Sequence, residues 1–145
     1  MSRKLTFKGQ LPIGEQDRIK LSTINGKTGY RITKFEIMSS TPGVGSFEMV
    51  GKIFKTDQTG KVNAEVNLTE DSLLAVHYLH DDATASVNQQ IIMDNTKFNQ
   101  DIFIYIADAG GNTIPGNYYI ELETMTLSDL EATMLTLKNI RAITS

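Results

Sequence analysis

Phe47-Glu48-Met49-Val50-Gly51-Lys52-Ile53-Phe54-Lys55, then Asp57-Gln58-Thr59-Gly60, then Val62, Ala64, Val66 and Leu68 at every second place: this stretch decides the fold class. Side chains of period two belong to strands with one face buried, and Gly60 can supply the positive φ that a tight turn needs. The stretch therefore reads as a β-hairpin, Phe47–Lys55 against 62–68. The same alternation extends in both directions. Leu5 and Phe7, then Ile19 and Leu21, mark half-buried strands. Tyr30 and Ile32 lie in one phase and Phe35 and Ile37 in the other, so a β-bulge is expected near Thr33-Lys34. Ile102-Phe103-Ile104-Tyr105-Ile106 is apolar at every position, as in a central strand covered on both faces. Tyr118 to Thr126 is the last strand, entered through turns at Gly110-Gly111-Asn112 and Pro115-Gly116-Asn117. Ser39 to Ser46, Thr69 to Ser72 and His80 to Asn88 read as connections.

About eight strands at this spacing, with no helices between them, predict a mainly-β fold: an antiparallel β-sandwich or jelly roll. One helix follows, over 128–141. Ser128 is an N-cap and Glu131 stands three residues on, completing a capping box, with Leu127 placed to staple it. Leu130, Met134 and Leu137 line one face at i, i+4 and i+7, and Arg141 suits the negative end of the dipole. Leu135 and Ile140 lie off that stripe, so the helix is expected to bury two sides, by packing against its own sandwich or, with these two residues as candidates, in a subunit contact. The 145 residues form one domain, with residues 1–10 as an arm free to move.

Composition excludes several classes of function. The chain has no cysteine, which rules out disulfide scaffolds and thiolate metal sites and suits synthesis in a reducing cytoplasm. The start, Met1-Ser2-Arg3-Lys4, lacks the apolar run of a signal peptide. No stretch approaches the ~18 apolar residues of a membrane span. Charge is unevenly placed. Residues 1–61 hold eleven of the fourteen Lys and Arg against five acids, a net of +6, and residues 62–145 carry −9. Such polarity favours docking over catalysis. Arg3, Lys4 and Lys8 are candidates for lying across an acidic neighbour, in a salt-sensitive contact.

Few residues suggest chemistry. His77 and His80 fall on opposite faces of a strand, and a zinc would need a third ligand. Asp57 to Lys61 and Asp94 to Thr96 lack the spacing of a calcium loop, and Glu121 with Glu123 reads as a solvated acidic stripe. No serine sits in a nucleophile elbow. No catalytic, cofactor or metal residue is assigned, and no enzyme activity, nucleic-acid binding or membrane association is expected. Tyr105, Tyr118 and Tyr119 are the aromatic candidates for a carbohydrate-binding sandwich.

The segment Asn117-Tyr118-Tyr119-Ile120-Glu121-Leu122-Glu123-Thr124-Met125-Thr126-Leu127-Ser128-Asp129-Leu130-Glu131-Ala132 runs on through Leu135 to Arg141. It resembles the C-terminal block of small virion-associated proteins of marine tailed bacteriophages. Lys4 to Pro12 and Gly29 to Phe35 are similar to the same group. The resemblance implies a particle component, by size and β content a capsid decoration (cement) protein bound to the major capsid protein, as a homo-oligomer and often a trimer. A tail, fibre or portal-associated adaptor is the neighbouring expectation, and a carbohydrate-binding module the more distant one.

Overall fold

The computed structural model describes residues 3–82 and 85–144. Eight strands form two antiparallel sheets: β1 (Arg3–Leu11), β2 (Gln16–Ile19), β3 (Thr28–Ser39), β4 (Phe47–Phe54), β5 (Leu73–Asp81), β6 (Ser86–Ile92), β7 (Ile102–Asp108) and β8 (Gly116–Thr126). One helix, α1 (Asp129–Thr144), closes the chain. The small sheet has the order β1-β8-β3 and the large one β2-β7-β4-β5-β6. The expected mainly-β sandwich with a terminal helix is the fold observed.

The core lies between the sheets. Ile32, Phe35, Ile120 and Leu122 of the small sheet meet Met49, Ile53, Ile104 and Ile106 of the large one, each 1% exposed or less. The sheets approach closely at glycine. A Cβ on Gly51 of β4 would stand 2.8 Å from Ile37 Cγ2 and 3.0 Å from Phe35 Cζ. The expected bulge is present: the register of β3 on β8 shifts between Ile32 and Lys34, returning Phe35 and Ile37 to the core face.

A second apolar layer covers the outer face of the large sheet. Val50, Phe54, Val76, Tyr105 and Ala107 form it, with Val62 and Ala64 packed above. This explains why β7 is apolar at consecutive positions, since both its faces are covered. It also corrects the expected hairpin. Phe47–Phe54 pairs with β5 and β7, and residues 62–68 form no strand. Asn63 Oδ1 accepts the Glu65 amide at 2.9 Å, and Asn67 Oδ1 accepts the Thr69 amide at 3.1 Å. Such local bonds give the backbone an alternative to a ladder. The alternation is real, but it turns Val62 and Ala64 down onto a sheet face. Lys52 of β4, 3% exposed, holds the segment from below. Its ammonium donates to Asn63 Oδ1 at 3.2 Å and to the Glu65 carbonyl, and lies 5.1 Å from the Tyr105 ring centre. The turn at Asp57 to Gly60 forms as expected, with φ +77° at Gly60.

Two further expectations change. Residues 3–10 of the supposed arm belong to β1, in register with β8 from Arg3↔Thr124 to Leu11↔Gly116; residues 1 and 2 lie outside the described ones. His80 to Asn88, read as a connection, is for the most part the paired ends of β5 and β6.

Candidate docking surfaces

α1 begins as the sequence implies. Ser128 Oγ accepts the Glu131 amide at 3.2 Å, and Glu131 Oε1 accepts the Ser128 amide at 3.3 Å. Leu127 is buried and its amide bonds to the Lys27 carbonyl. The helix lies over connections at one end of the sandwich, and small residues let it approach. Asn99, 1% exposed, donates through Nδ2 to the carbonyls of Gly26 (2.9 Å) and Ala132 (3.4 Å) and to Thr136 Oγ1 (3.1 Å). Asn139 Nδ2 reaches the Lys55 carbonyl at 3.3 Å. The body-facing side is therefore Ala132, Leu135, Thr136 and Asn139.

The apolar stripe faces the other way. Leu130 is 70% exposed, and Met134 and Leu137 are each 49% exposed. Of the two candidates off the stripe, Ile140 is exposed, whereas Leu135 is half-buried toward the body beside Lys55, Lys97 and Asn99.

Part of the charge split is internal complementarity. Acidic β8 lies between basic β1 and β3. Lys4 pairs with Glu121 at 3.5 Å and Arg31 with Glu123 at 2.8 Å, and Lys34 lies over the Tyr119 ring. Arg18 pairs with Asp101 at 2.6 Å and Lys27 with Asp129 at 2.8 Å. Each of these bridges joins a base of the first 61 residues to an acid of the rest. Lys4 is thus engaged within its own chain. Arg3 and Lys8 are exposed on β1, with the Arg3 amide bonded to Thr124 Oγ1. Asp101 is the most enclosed of these acids. Burial opposes its ionisation, but the Ser22 and Leu21 amides and the Arg18 guanidinium outweigh it and hold the carboxyl down to about 2.

Other cations gather beside α1. A cleft of about 770 Å³ is lined by Lys55, Lys61, Lys138 and Arg141 together with Glu70 and Asp71. Burial, then the charge of Lys138, lowers the pKa of the Lys55 ammonium. It has no salt bridge among the described residues. Such a cleft suits an acidic side chain from a partner that rests on the adjoining helix face.

The histidines separate as expected. His77 is buried between the sheets, where Nδ1 accepts the Ile37 amide at 2.9 Å and Nε2 faces Asn88 Oδ1 at 2.6 Å. An amide can only donate, so the ring proton sits on Nε2. His80 lies on the outer face, 2.8 Å from Asp82 Oδ2. Tyr105 and Tyr118 are buried, at 1% and 6% exposed, with Tyr118 donating to Asp17 Oδ2. Only Tyr119 of the three remains open to a ligand.

The class defined by this geometry is an antiparallel β-sandwich with a helix capping one end and an unburied apolar helix face. The chain matches no protein-family model, and no curated protein matches it.

Proposed function

We propose that this protein is a structural component of a bacteriophage particle, a capsid decoration protein that docks on the major capsid protein through α1. The observation that carries this reading is the stripe Leu130, Met134 and Leu137, which the fold builds with a full capping box and then leaves in solvent. Contiguous exposed apolar surface with a polar rim is the signature of a protein-binding face. Lys55, Lys61 and Lys138 beside it complement an acidic partner and would add salt sensitivity. The resemblance of residues 117–141 supplies the partner class. A decoration protein acts by repetition, so each contact can be weak while the assembled layer is strong.

The test is quantitative mass spectrometry of purified particles, joined to binding of the variant Leu130→Glu/Leu137→Glu to stripped shells. Copies comparable in number to shell subunits, and at least ~tenfold weaker binding by the variant, are expected. A few copies per particle would transfer the reading to a tail or portal adaptor. Absence from clean particles would overturn it.

A further inference from the structure

Four strands bound the two sheets: β1 and β3 in the small one, β2 and β6 in the large one. An edge strand offers unpaired amides and carbonyls to any passing strand, and proteins guard such edges with charge, brevity or bulges. Three of the four are guarded. β1 carries Arg3, Lys4 and Lys8, β2 has four residues including Asp17 and Arg18, and β3 carries Arg31, Lys34, Glu36 and the bulge. β6, Ser86-Val87-Asn88-Gln89-Gln90-Ile91-Ile92, has seven residues, no charge, no proline and no glycine, and it pairs with β5 without a register shift. Its side chains from Ser86 to Ile91 are exposed on both faces.

The backbone direction of β6 can be read from its ends. Asp82 donates to the Ala85 carbonyl at 3.0 Å and Met93 to the Leu74 carbonyl at 3.0 Å. Hydrogen-bonded pairs alternate along an antiparallel ladder, so Val87, Gln89 and Ile91 bond inward to His80, Tyr78 and Val76. Ser86, Asn88, Gln90 and Ile92 therefore direct their amides and carbonyls out of the sheet. Laid antiparallel on a copy of itself about Gln89, the strand sets Asn88 against Gln90 and Ser86 against Ile92. Every outward residue meets an outward residue, giving about eight backbone hydrogen bonds. The same register sets Val87, 38% exposed, against Ile91, 36% exposed, on one face, with the two Gln89 side chains between these apolar pairs. A neutral strand whose backbone and apolar positions both match their own reverse fits a second copy of itself.

We propose that β6 is a self-association edge, pairing two copies of this chain about a two-fold axis at Gln89 and joining their large sheets into one. The contact is two-fold, unlike the trimer that the resemblance suggests, and it does not depend on the particle role. A seven-residue strand alone gives a modest interface, suited to reversible pairing.

The chain has no cysteine, so single thiols report the register. At the axis the two Gln89 residues form a non-hydrogen-bonded pair with Cα atoms about 4.5 Å apart, within disulfide range. Under mild oxidation, Gln89→Cys should give at least ~fivefold more covalent dimer than Val87→Cys. An equimolar mixture of Val87→Cys and Ile91→Cys should cross-link where neither does alone. Because these side chains are exposed, thermal melts should match the parent protein. Uncross-linked Gln89→Glu should sediment as monomer, and mixing it with Gln89→Lys should restore the dimer. Equal or greater cross-linking of Val87→Cys would overturn the register. A parent protein that stays monomeric at all concentrations, or a β6 that pairs only with another protein, would overturn self-association.

Discussion

His77 shows how much one buried side chain can organise. It stands on β5 of the large sheet and takes the Ile37 amide of β3 in the small one, so a single ring nitrogen satisfies a backbone donor at the edge of the opposite sheet. Burial lowers its pKa from the usual histidine value. The unfolded chain therefore binds a proton below pH ~6.5 that the folded chain resists. Stability from this residue is complete above that pH and declines as pH falls through it. Denaturant midpoints at pH 7.5 and 5.0 should differ in the parent protein, and His77→Gln should lose part of that difference. An unchanged pH slope in the variant would remove His77 from the acid response. The placement of His77 and His80 on opposite faces was legible from their odd spacing alone. Which face was inside was not, because the decisive partner, Ile37, is 40 residues away in sequence.

The elements were legible where one face is apolar and obscure where that contrast fails. β3 with its bulge, β7 and β8 have strong patterns and were read correctly. β6 is solvated on both sides, so no alternation marks it. Residues 62–68 alternate yet form no strand, because Asn63 and Asn67 bond locally while Val62 and Ala64 cover the sheet. On α1 the pattern found the stripe but not its direction. The side against the body needs small residues, Ala132 and Thr136, where Asn99 and Gly26 approach. A related constraint governs the contact between sheets. Gly51→Ala would push a methyl into Ile37 and Phe35, which are walled in by the core. A loss of about 1–3 kcal/mol in equilibrium unfolding is expected, the usual cost of overpacking. A neutral result would mean that β3 can move away from β4.

At the scale of the molecule, charge that looks polarised along the chain is partly neutralised in space, where Lys4, Arg18, Lys27 and Arg31 meet acids of the later half. The split in the sequence was plain, but its meaning depended on strand order, which periodicity does not reveal. Because the bases of β1 and β3 meet the acids of β8, screening should weaken the small sheet as well as any docking contact. The strand order also dictates an order of assembly. β8 lies between β1 and β3 yet is synthesised after both. A chain ending at residue 115 should therefore fail to fold, shown by loss of the cooperative melt seen for the whole chain. A cooperative melt in that shortened chain would overturn this dependence. Until β8 is made, the like charges of Lys4, Lys8, Arg31 and Lys34 disfavour direct pairing of β1 with β3. Like charge thereby counts against the wrong neighbour and favours the observed order, in which an acidic strand separates two basic ones.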